Sequence, residues 1–288
     1  MARYLDPKND LVFKKIFGHH PALLKSFLNA ILPLPDDCVI ESLTYLSPES
    51  VPELAALKNS IVDVRCCDNH GRHFIVEMQL QWTGDFIKRM LFNTAATYVR
   101  QLEKGKKYEH LSPVYGLALL DDTFTSEEKW FHHYRMANVH DGSKNLDDIQ
   151  LVLIELPKFK PNNIVGKKLT VLWLRFLKEI KDGTEVIDPS LFEVEEIKEA
   201  LRLLEVASYN AAELLAYDQR WDVVSSERTL ISGKFAEGKA EGKAEERNTL
   251  VMNMHHEGLL MKQICTIAKL SQDEVQKIIE AAECSQIT

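Results

Sequence analysis

Two short stretches alternate between apolar and polar residues on either side of Asp68-Asn69-His70-Gly71-Arg72, and this pattern constrains the fold most. Residues 61–67 and 73–81 read as the strands of one hairpin. From Gly84 to Glu103 the apolar period becomes helical, with Phe86, Met90, Leu91, Thr94, Ala95, Tyr98, Val99 and Leu102 on one face and Gly105 as the stop. Residues 114–120 are almost wholly apolar, as in a strand buried on both faces. A hairpin, a crossover helix and a buried strand together imply a mixed sheet covered by helices, an α/β or α+β core. Further strands are expected at 39–46, 129–137 and 149–156. Helices are expected as a pair within 8–31, broken at His19-His20-Pro21, and at 164–180, 191–216 and 218–230, with most of the tail also helical.

Composition removes several alternatives. A chain of 288 residues, 45% hydrophobic and 27% charged, is neither disordered nor a coiled-coil fibre. No run approaches the ~20 apolar residues of a membrane span, and the charged start MARYLDPKND lacks the apolar stretch of an export signal. The five cysteines show no CxxC spacing, which fits reduced thiols and a cytoplasmic location. Charge is unevenly divided: residues 1–178 hold 23 Lys+Arg against 21 Asp+Glu, and the remainder holds 12 against 22. The acidity that would oppose nucleic acid therefore lies in the tail.

The hairpin carries the chemistry. If Cys67 pairs with His73, partners sum to 140 and Asp63 faces Glu77, with Cβ atoms about 5 Å apart. Gln79 and then Gln81 follow on the same face, while Val62, Val64, Phe74, Val76, Met78 and Leu80 form the apolar one. Opposed like charges destabilise a sheet unless compensated. A divalent cation compensates them: Mg²⁺ takes one or two carboxylates plus waters and a phosphate oxygen, and activates a bound water. On strand pattern alone an exposed hairpin with ordinary surface charge is the favoured reading, and a one-residue slip would undo the pairing.

Asp63, thirteen residues, then Glu77-Met78-Gln79 resembles the D…(D/E)-x-K signature of the PD-(D/E)XK nuclease superfamily, with Gln79 in place of the lysine. Asp10-Leu-Val-Phe-Lys14-Lys-Ile-Phe, Ile61-Val-Asp63-Val, Val76-Glu77-Met-Gln79, Arg89, Tyr98, Gln101, Gly105, Tyr108 and Leu111-Ser-Pro113-Val resemble its recombination-promoting nuclease / putative transposase branch over residues 4–230. The resemblance implies a restriction-endonuclease-like αβββαβ core over residues 1–230, a helical extension over 231–288, and Mg²⁺-dependent DNA endonuclease activity, with Mn²⁺ as a substitute. It implies catalytic roles for Asp63, Glu77 and Gln79, with Asp63 and Glu77 as metal ligands. The alternative is a non-catalytic DNA- or protein-binding module of a mobile-element or defence complex. RNA cleavage would use the same metal chemistry.

Around this centre, Asp10 resembles the acidic residue that the superfamily often places on its first helix, although Asp at that position also suits a helix cap. Gln79 removes a positive charge beside the scissile phosphate, which leaves Lys14 and Lys88 as candidates to supply one, while Arg89 on the crossover helix either approaches phosphate or covers the sheet. Gln81 is a further candidate on the Glu77 face. Tyr98 suits packing, and the adjacent histidines of 132–133 should point to opposite faces of a strand. The repeat Glu237-Gly-Lys-Ala-Glu241-Gly-Lys-Ala-Glu245 fits either a linker or an oligomerising helix, the latter preferred. Residues 260–275 resemble a small helix-turn-helix in which Ser271 and Glu274 form a capping box.

Overall fold

The computed structural model describes residues 3–35, 37–46, 64–102, 107–161 and 168–285, without the side chains of 235–236 and 283–285. The expected stop at Gly105 and the strand start at 61–63 lie outside these residues. The chain divides into two compact units, Met1–Asp222 and Val223–Thr288.

The first unit opens with α1 (Asp10–Phe17) and α2 (Pro21–Ile31), followed by β1 (Leu43–Tyr45), β2 (Val64–Asp68) and β3 (His73–Gln79). Helix α3 (Phe86–Arg100) then crosses to β4 (Val114–Leu120), and β5 (Phe131–Asn138) and β6 (Asp141–Glu155) complete a six-stranded sheet ordered β1-β2-β3-β4-β6-β5. Pairs β3–β4 and β4–β6 are parallel and the others antiparallel. This is the expected αβββαβ order with a mixed sheet. The hairpin register also agrees with the sequence: Val64 pairs with Val76 and Cys67 with His73, so partners sum to 140.

The turn is held by Asp68, whose Oδ1 accepts the N–H groups of His70 and Arg72, while Gly71 takes φ +79°. Such a positive φ strains residues that carry a Cβ. Strand β6 is longer than expected: its outer residues pair with β5 as a ribbon, with register shifts at Arg135/Met136 and Ala137/Asn138.

Helix α3 lies on the sheet face that carries Ile75 and Glu77. Its buried residues are Phe86, Met90, Asn93, Thr94 and Thr97, whereas Leu91 and Val99, expected inside, are exposed. Gly116 of β4 explains how close the helix comes, since a Cβ there would lie 2.5 Å from the Thr94 hydroxyl. Phe74, Val76 and Met78 on the other face are equally buried. Helices α1 and α2 pack with α4 (Lys168–Glu179) and α5 (Glu195–Leu204) around Phe17, Phe27 and the fully buried Trp173. The helix expected across 191–216 is broken, because α5 ends at Leu204 and α6 (Ala211–His256) begins after a 3₁₀ turn.

In the second unit the end of α6 packs with α7 (Met261–Ala268) and α8 (Gln272–Ser285) around Val251, Met254, Ile264, Val275 and Ile279. Lys269 reverses the chain at φ 53°, and Ser271 and Glu274 exchange the expected capping bonds at 2.8 and 3.3 Å. The Gly-Lys-Ala-Glu repeat is helical within α6, and a Cβ at Gly238 or Gly242 would meet nothing within 4 Å. Among the described residues no helix is long and apolar enough to cross a membrane.

Candidate active site

Glu77 lies near the end of β3, a strand buried on both faces, with β2 and β4 on its edges and α3 over the face that carries Glu77. Only 4% of the residue is exposed, which excludes the reading of ordinary surface charge. Its Oε1 accepts from Asn93 Nδ2 of α3 at 3.0 Å, and its Oε2 stands 3.7 Å from Arg89 Nη2. Burial pushes the Glu77 carboxyl above the usual range, and the Asn93 hydrogen bond and the Arg89 charge recover only part of that shift.

Gln79, the next residue on this face, is fixed at both ends of its amide. Its Nε2 donates to the Gln81 carbonyl at 2.7 Å and its Oε1 accepts from Arg89 Nη2 at 2.9 Å. Arg89 therefore bridges Glu77 and Gln79 while its guanidinium rests 5.0 Å from the Phe86 ring, and 41% of its side chain remains open. Of the three candidate cations, Arg89 is the one joined to this pair. Lys88 is exposed beside it, and Lys14 is half-buried on α1. Gln81 contributes its backbone carbonyl.

Asp10 is not joined to this group. It occupies the first turn of α1 and forms an ion pair with Arg220 of α6 at 2.6 Å, while Asn9 is the cap, accepting from the Leu11 N–H at 3.1 Å. Tyr98 donates to Asp148 Oδ1 at 3.2 Å. Asp63 lies outside the described residues.

Sequence reasoning missed two features. Asn93 is the first; its signal was a polar residue on the stripe of Phe86, Met90 and Thr97. The second is a fully buried carboxylate, Glu155, at the end of β6. It accepts from the Phe124 N–H, the Thr125 hydroxyl and His132 Nε2, and is paired with Lys158 at 2.7 Å. His133 turns to the other face and contacts Gln150.

A divalent cation fits the Glu77 end of this face. A buried carboxylate that desolvation disfavours, with Arg89 too distant for a short hydrogen bond to Oε2, gains from an added positive charge. Among the described residues no group of three His, Cys, Asp or Glu side chains that could hold a metal ion occurs.

A family model described as PD-(D/E)XK nuclease family transposase matches residues 7–233. No curated protein and no solved structure matches the chain. The match runs from the residues just before α1, through the strand that buries Glu77, into α6, and on that span the chain belongs to the PD-(D/E)XK nuclease family transposases.

Proposed function

We propose that the chain is a DNA endonuclease that hydrolyses phosphodiester bonds with Mg²⁺, or Mn²⁺ in its place, in recombination or mobile-element processes. The observation that carries this reading is Glu77: a carboxylate buried against α3 and left short of compensating charge, in a sequence that resembles the D…(D/E)-x-K motif at this residue. Continuing the 140 register by one residue would set Asp63 opposite it, so Asp63 and Glu77 would hold the cation. When bound, the metal polarises the phosphodiester and acidifies an attacking water.

The chain's own residues act around that centre. Asn93 holds one oxygen of Glu77 and so fixes the direction of the other. Arg89, whose guanidinium has five donors, keeps N–H groups for a phosphate oxygen after bonding Gln79. It thereby supplies the charge that the missing lysine would have brought. The clamped Gln79 amide orients Arg89 rather than replacing a cation. The free thiols of Cys38, Cys66, Cys67 and Cys265 fit the reducing cytoplasm.

The test is nicking of supercoiled plasmid with Mg²⁺, Mn²⁺ or EDTA, beside thermal melts. Nicking that is lost in EDTA and in both Asp63→Asn and Glu77→Gln, with melting kept, supports the nuclease. Nicking that survives either substitution, or a folded protein that binds DNA without ever cutting, favours a non-catalytic binding module.

A further inference from the structure

One pleat from Glu77, toward the hairpin turn, basic side chains gather on the same face. Arg65 and Cys67 of β2 and His73 of β3 alternate onto it, as fixed by Arg65↔Ile75 and Cys67↔His73. Helix α3 covers them with Thr97, and Arg100 follows about one turn later. Arg65 is half-buried, with Nη2 donating to the Thr97 hydroxyl at 3.0 Å, while its Nε is buried without a partner, as is His73 Nδ1. Among the described residues no carboxylate forms an ion pair with Arg65 or Arg100. Asp68, on the same strand, is committed to Arg72 at 2.6 and 2.7 Å.

Arg65 thus lies half-buried near the Arg100 charge, which stands about one turn of α3 beyond its Thr97 partner. A half-buried cation beside a like charge is costly unless an anion completes the group. Successive turns of α3 present Arg89, Asn93 and Thr97 to Glu77 and then to Arg65. The two guanidinium positions therefore flank the carboxylate along the helix.

We propose that Arg65, backed by Arg100, holds a backbone phosphate of the nucleic acid beside the one at Glu77. One pleat is about 7 Å, close to the through-space separation of neighbouring phosphates on one strand. The identity of the anion rests on the nuclease reading.

The experiment is a salt titration of DNA affinity in EDTA, using the full chain and a mixed-sequence oligonucleotide, single-stranded and duplex. Arg65→Gln weakens binding roughly tenfold and reduces the slope of log K against log salt by about 0.7–0.9, the contribution of one phosphate contact. Arg100→Gln moves both quantities in the same direction by less, and neither variant melts below the parent. An unchanged slope in Arg65→Gln overturns the proposal, as does a parent with no salt-dependent affinity. If Arg65→Gln fails to fold, the exposed Arg100→Gln decides, and an unchanged slope there is equally fatal. Metal-dependent nicking by the parent, measured in parallel, separates the two readings. Cutting with an unchanged slope sinks the phosphate site alone, whereas a reduced slope without cutting sinks the nuclease alone.

Discussion

Glu77 and Glu155 are both buried carboxylates near the ends of β3 and β6, the two parallel strands on either side of β4, yet their surroundings drive them in opposite directions. At Glu155 burial alone would raise the pKa, but the Lys158 ammonium, the Thr125 hydroxyl, the Phe124 N–H and His132 outweigh it and hold the carboxyl below its ordinary value. At Glu77 one amide and a more distant guanidinium fall short, and the carboxyl stays above its ordinary value. Glu155 is a finished structural group that ties the loop around Phe124 to the end of β6. Glu77 has electrostatic room for one more cation. Burial by itself therefore does not set the direction of a carboxyl's shift; the donors and charges around it do.

The largest effect that would break this contrast is on cleavage. Glu77→Gln should lower plasmid nicking by at least about a thousandfold, equivalent to ~4 kcal/mol at the transition state, while its metal-free melting point is kept or rises slightly. Comparable nicking in the variant would make Glu77 structural like Glu155. Next, Glu155→Gln should lose about 3 kcal/mol in urea unfolding, because removing one partner leaves the Lys158 charge poorly compensated. An unchanged midpoint would show that the four contacts are dispensable.

Acid titration sharpens the comparison further. The folded pKa of Glu77 is raised, so its contribution is present below the unfolded value of about 4.3. It is lost as pH climbs through the higher folded value. Glu155 is the reverse: its contribution is present above the unfolded value and lost as pH falls through the lower folded one. Unfolding free energy measured against pH in EDTA should thus lose one drift in Glu77→Gln and the opposite drift in Glu155→Gln; identical profiles would refute the assignment. Replacing Arg89 by Lys keeps the charge but loses the planar guanidinium whose Nη2 reaches Glu77 and Gln79 while its other N–H groups stay available. Nicking in that variant should fall about tenfold, or ~1.4 kcal/mol, and full activity would show that charge alone suffices.

The hairpin register was legible because a five-residue turn and a period of two leave few pairings once one face must be apolar. The crossover strand was legible for a similar reason: Val114–Leu120 has almost no polar residue to offer water. The inward face of α3 was misread because Leu91 and Val99 are more apolar than Asn93 and Thr97, yet the helix turns the polar pair inward. Asn93 meets Glu77 there and Thr97 meets Arg65, contacts between elements that a helical periodicity does not weigh. The ion pair of Asp10 with Arg220 spans more than two hundred positions, and no local pattern in the sequence joins them. The Glu155 group was hidden likewise, since Thr125, His132 and Lys158 converge only after β5 folds back along β6.

The two register shifts in the β5–β6 ribbon bear on how the protein behaves at high concentration. Strand β5 forms one border of the sheet, and a straight, uninterrupted border of eight residues would offer its free N–H and C=O groups to a neighbouring molecule as a template. The irregularities at Arg135/Met136 and Ala137/Asn138 place extra residues on β6, and such interruptions raise the local twist of the pair, so the ribbon offers a less regular border for another strand to join. Tyr134, Met136 and Leu146 can then stay exposed on the ribbon without turning the sheet into a seed for fibrous assembly.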